Sequence, residues 1–208
     1  MTPGPTIIRK CSTCMQSIKQ PTINSGNTFG AKFWTDGKQE APMLPDQPWL
    51  VMCPHCHAPL WIDELEELGQ IEPWGDEKCD FNDAHDFIVP TLDDYFTLIA
   101  NGVSDREKAR YARLRAWWAG NDERRRSQVE IPMSAGETEN VAAFMIMLDE
   151  SDANDLVVKA EAMRELGRFE ESLSLLEKSD DKNFAKAVEI IKRLSEKRDP
   201  YVRQLVFN

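Results

Sequence analysis

Two Cys-x-x-Cys pairs constrain this chain more than any other feature: Cys11 and Cys14 in RKCSTCMQS, and Cys53 and Cys56 in VMCPHCHAPLW. Paired knuckles supply four soft thiolates, the donor set that tetrahedral Zn²⁺ takes in structural sites. In each knuckle the chain curls back, so that backbone N–H groups can point at the sulfurs, and Pro54 favours that turn. An iron site of rubredoxin type and unmetallated core cysteines are the competing readings. A catalytic zinc is disfavoured, because four cysteines close the coordination sphere. Cys79 stands apart in the acidic segment and is expected to be a lightly buried free thiol, with a fifth ligand as the alternative.

The stretch between the knuckles has strand texture. Phe29, Ala31 and Phe33 alternate with Thr28, Gly30 and Lys32, and Asp36-Gly37 is a hairpin signal. WLVM delivers Cys53 and APLWI leaves Cys56, while Pro42, Pro45 and Pro48 keep the return limb irregular. So small a sheet buries little surface. Metal binding can make up for it, with roughly 10–16 kcal/mol of apparent energy coupled to folding.

Residues 7–62 resemble the zinc-ribbon superfamily, and the resemblance implies Cys11, Cys14, Cys53 and Cys56 as ligands of one structural Zn²⁺. Many ribbons have glycine after the second cysteine of a knuckle, whereas Met15 and His57 stand there in this chain.

Charge divides the chain. The formal net charge is −11, which argues against general nucleic-acid binding, since phosphate contacts need Lys and Arg. Residues 1–62 carry five basic and three acidic side chains, whereas 63–88 hold ten acidic groups and one lysine. The expected organisation is a ribbon over 1–62, a solvated acidic connector over 63–88 and an α-helical domain over 89–208.

Capping signals recur through that last part. Thr91 with Asp94 opens one helix and Gly102 stops it. Ser104 and Glu107 open a second, which Gly120 ends, and Ser134 with Glu137 opens a third. Asp152 and Asp155 precede LVVKAEAMREL, Gly167 separates it from RFEESLSLLEK, and NFAKAVEIIKRLSEK follows before Asp199-Pro200. Phe144, Ile146, Leu148, Leu173 and Leu176 are candidates for its core.

The fourth and fifth helices resemble one tetratricopeptide-type hairpin, through Leu156, Ala160, Gly167, Phe169, Ser172 and Leu176. The plain alternative is packed helices in an α-domain. The combination of ribbon and helical half resembles uncharacterised bacterial zinc-ribbon proteins, which implies no reaction. The expected class is α+β, a small four-cysteine zinc ribbon with a short antiparallel β-sheet, followed by an all-α helical-hairpin domain.

Arg106, Arg110, Arg113 and Trp117 recur at steps of four, three and four on one helical face. They could hold an acidic partner, or they could pair with the acidic segment 63–86 of the same chain. With only three histidines and a closed metal site, an enzyme is not expected. No apolar run is long enough to cross a membrane and the N-terminus lacks the pattern of a secretion signal, so a cytoplasmic protein is expected.

The expected function is a non-enzymatic, zinc-stabilised interaction protein, an adaptor or an acidic inhibitor of immunity type, engaging a protein partner. Candidate partner residues are Trp34, Asp36 and Gly37 at the hairpin tip, with Arg110, Arg113 and Trp117. The alternative is a nucleic-acid-associated ribbon using Lys32, Trp34 and Lys38.

Overall fold

The computed structural model describes residues 1–74, 81, 83–127 and 130–206. Among these it has nine strands, six α-helices and one 3₁₀ turn, so the class is α+β. The chain forms two compact units, one of residues 1–31 and 40–94, the other of 32–39 and 95–208. Cys79 lies outside the described residues.

The first unit is built on hairpins. Strands β1 (Thr2–Lys10) and β2 (Ser17–Ser25) pair antiparallel, with Lys10 opposite Ser17, so Cys11 and Cys14 occupy their turn. Strands β5 (Leu50–Met52) and β6 (Pro59–Trp61) pair with Met52 opposite Pro59, which puts Cys53 and Cys56 in a second turn. Strand β7 (Glu67–Ile71) adds to the free edge of β1, and β8 (His85–Asp86) runs parallel to β2. Residues 67–71 and 85–86 of the expected connector are therefore strands. Their backbone groups find ladder partners there, although the side chains around them are mostly acidic. Cys11, Ile18, Val51, Cys53, Leu60, Ile62 and Leu65 form the core of this unit.

The expected strand at 28–33 shrinks to β3 (Lys32–Trp34). Phe29 is 85% exposed and Gly30 has φ +73°, so the alternation upstream is that of a turn. Strands β3 and β4 (Gln39–Glu40) flank the Asp36-Gly37 turn, where Gly37 has φ +82° and its N–H donates to Trp34 O at 3.0 Å. Residues 32–39 belong to the second unit, where β3 pairs antiparallel with β9 (Gln204–Leu205).

The rest of the second unit is helical. Helix α1 (Leu92–Ala100) spans the division between the units, and Thr91 Oγ1 accepts from the Asp94 amide at its start. Helix α2 (Arg106–Arg126) begins at Asp105, whose carboxylate accepts from the Lys108 amide, in place of the expected Ser104–Glu107 box. It also runs through Gly120 instead of ending there. A Cβ on Gly120 would collide with the Glu137 carboxylate, so the glycine records a close approach between helices.

Helix α3 (Ala135–Met145) carries the expected capping box of Ser134 and Glu137, and α4 (Ala153–Glu165) is capped by Asp152. Helices α5 (Phe169–Leu176) and α6 (Ala185–Glu196) complete the set. Phe144, Leu148, Leu156, Val157, Leu176 and Ile191 lie in one buried cluster. Ile146 does not join it and is 84% exposed, because α3 ends at Met145 and the register is lost there.

Candidate metal centre

The two knuckles have the same backbone pattern. Cys11 N–H donates to Gln16 O and Met15 N–H to Cys11 O; in the second, Cys53 N–H donates to Ala58 O and His57 N–H to Cys53 O. Met15 and His57, the residues after each second cysteine, have φ +65° and +58°. That left-handed conformation is the reason glycine suits this place. The amides of Thr13 and Cys14 point at Cys11 Sγ, at 3.4 and 3.5 Å.

These turns bring all four sulfurs within 4.8 Å of one another. The cross-knuckle separations are 3.8 Å for Cys11 and Cys56 and 3.7 Å for Cys14 and Cys53. Sulfurs about 2.3 Å from a tetrahedral zinc ion stand about 3.8 Å apart, whereas a disulfide needs about 2.0 Å. The four cysteines therefore suit a metal ion such as zinc. Cys11 and Cys53 are fully buried, Cys14 is half-buried and Cys56 is exposed.

Without a cation the quartet is in conflict. Burial pushes the Cys53 thiol up to about 12. At Cys11 burial also raises the pKa, but the amides of Cys14 and Thr13 outweigh it and leave about 7. A divalent ion bound there would resolve the conflict by holding all four as thiolates.

The histidines cluster around the second knuckle. His55 meets Ser17 O at 3.2 Å and stacks edge-on to His85, while His57 meets Asp94 at 3.1 Å.

The proposed partner residues sit in the second unit, and several are enclosed. Asp36 is fully buried, ion-paired to Arg125 and bonded by Asn121 Nδ2 at 3.0 Å. Trp34 is half-buried under the Arg125 guanidinium, 5.6 Å from its ring centre, while Gly37 is exposed. Trp117 is 2% exposed and donates to Glu165 at 2.8 Å.

Arg110 pairs with Asp155, and Arg113 donates to Asn140 Oδ1 at 3.4 Å. Arg124 pairs with Glu137 and Arg125 with Asp122. Among the described residues, these partners of Arg110, Arg113, Arg124 and Arg125 come from the second unit itself. Lys38, offered above for nucleic acid, is paired with Asp122.

Sequence reasoning missed the buried polar cluster around Asn121, Glu161, Arg164 and Glu165. Its signal was available in α4, where charged residues at 161, 164 and 165 adjoin the apolar positions of a helix enclosed on all sides in its second half. Arg164 bonds Glu161 and the carbonyl oxygens of Asp199 and Tyr201.

No family model, curated protein or solved structure matches this chain.

Proposed function

We propose that this chain is a non-enzymatic protein-interaction protein built around one structural zinc ion held by Cys11, Cys14, Cys53 and Cys56. The observation that carries this reading is the pair of 3.7 and 3.8 Å sulfur separations across the two knuckles. Four thiolates at that spacing close a tetrahedron and leave no position for a reacting water. The matching knuckles support a zinc ribbon. The turn at Gly167, with φ +75° between α4 and α5, supports a tetratricopeptide-type hairpin in the second unit.

Charge indicates the kind of partner. Residues 1–31 and 40–94 carry fourteen acidic and four basic side chains, a formal −10 of the chain's −11. A unit of that charge steers towards a basic protein and away from phosphate backbones, which favours the adaptor or acidic-inhibitor role over the nucleic-acid alternative.

Affinity capture from the native host with the zinc-loaded full chain tests this. The expected result is a basic protein whose retention weakens as salt is raised. Metal-dependent turnover of a hydrolysable substrate, or salt-sensitive retention of DNA, would overturn the reading.

A further inference from the structure

Turn tips face water and are usually polar. Two turns of the first unit carry apolar side chains instead. In one, Ala31 N–H donates to Thr28 O at 2.9 Å across Phe29 and Gly30. In the other, Leu44 N–H donates to Ala41 O at 3.0 Å across Pro42 and Met43. Phe29 is 85% exposed, and Met43 and Leu44 are exposed as well.

Both turns are held in place, and they are held together. Asn27 Oδ1 accepts from the Phe29 amide at 2.9 Å, and Gly30 supplies the positive φ at the third position of its turn. Pro42 and Pro45 bracket Met43 and Leu44, each with a fixed φ. Asn27 N–H donates to Met43 O at 3.2 Å. A Cβ on Gly26 would collide with that same carbonyl oxygen, so the two loops touch backbone to backbone.

The core of the unit does not use these three side chains, since its buried cluster is built from Cys11, Ile18, Val51, Cys53, Leu60, Ile62 and Leu65. Leaving them in water forgoes the free energy that burial would return. Side chains on turns already fixed by hydrogen bonds and prolines lose little further freedom on binding, as interface anchors require. Of the surface expected from the sequence, by contrast, Asp36 and Trp117 are buried.

Charge selects the occupant. Residues 20–31 carry no charged side chain, Glu40 and Asp46 flank the second turn, and the unit as a whole has a formal −10. A second copy of the chain would bring an equal negative charge to the patch, and an anionic membrane surface would be repelled in the same way. A cationic segment with an apolar face meets both features at once.

We propose that Phe29, Met43 and Leu44 anchor a docking surface for a lysine- or arginine-rich segment of a partner protein, one that brings apolar residues to the two turns. The proposal rests on the reading of this chain as a binder of a basic protein, and adds where that partner sits.

The probe is a model amphipathic helix of leucine and lysine, titrated into the ¹⁵N-labelled, zinc-loaded full chain. Saturable shifts should concentrate at the amides of Phe29, Met43 and Leu44. Affinity should fall by about tenfold in the double variant Phe29→Ser, Leu44→Ser. The same helix with glutamate in place of lysine should not bind. Shifts spread over the whole acidic surface, or equal affinity in the double variant, would overturn the proposal. So would a wild-type dimer that the double variant dissociates, because the occupant would then be a second copy. Should the double variant fail to fold, the wild-type shift map decides alone. Capture from the native host separates this surface from the reading beneath it. A basic protein retained by the wild type and lost from the double variant supports both, whereas one retained equally by the two overturns the surface and leaves that reading standing.

Discussion

Asp36 and Arg125, 89 positions apart in the chain, form an ion pair with side chains 0% and 1% exposed. The pair joins the tip of the β3–β4 hairpin to the last turns of α2 inside the second unit. Trp118 Nε1 donates to the Asp36 carbonyl at 3.0 Å, which fixes the turn as well as the carboxylate. Removing one partner of a buried pair leaves the other charge uncompensated. Asp36→Ala should therefore destabilise the second unit by about 3–5 kcal/mol, read from urea denaturation.

Gly120 tests the approach of α2 to α3. In an exposed helix Gly→Ala gains up to about 1 kcal/mol. Here the new methyl group would displace the Glu137 carboxylate from Arg124 and from the Ser134 cap. Gly120→Ala should lower the melting temperature, whereas Gly102→Ala, with open space around it but φ +87°, isolates the cost of backbone conformation alone.

Metal content tests the cysteine quartet. Purified protein should carry one zinc per chain by elemental analysis, and cobalt substitution should give the absorption of a four-thiolate tetrahedron. Cys53→Ser should release the ion and unfold the first unit, since Cys53 lies in its core. Cys79→Ser should leave the metal content unchanged.

Met15 measures the strain of a knuckle. Its φ of +65° disfavours any residue with a Cβ, and the side chain is 57% exposed, so little packing depends on it. Met15→Gly should stabilise the metal-bound unit by about 1 kcal/mol, seen as slower release of zinc to a chelator.

Glu137 sets an acid limit. Its burial raises the carboxyl's pKa, but Arg124 and the Ser134 cap outweigh this and hold it below the ordinary 4.5. A depressed folded-state value contributes stability above the unfolded one, and that stability is lost as pH falls through the folded value. Unfolding below pH 4.5 should be less steep in Glu137→Gln than in the wild type, by denaturation across the acid range.

Local interactions were legible in the sequence. The knuckles, the Asp36-Gly37 turn, the Ser134–Glu137 box and the Asp152 cap depend on residues within a few positions of one another, so their spacing alone determined them. The four sulfurs could likewise be read as one site, because two Cys-x-x-Cys knuckles supply the four thiolates that a single tetrahedral ion would take.

Long-range packing decided the rest. Alternation and a turn signal predict an exposed ribbon hairpin, yet residues 32–39 fold with helices that lie far downstream in the chain. An arginine or aspartate has the same local signature whether solvated or buried; only the arrival of a distant partner distinguishes the two. Gly120 shows the same limit, since a glycine that ends a helix and one that admits a neighbouring carboxylate look alike until α3 is in place. The sequence by itself determined the four-cysteine cluster and most helix starts, through contacts spanning a few residues. Tertiary structure alone decided which charges are buried, because burial depends on pairings between segments that no local pattern encodes.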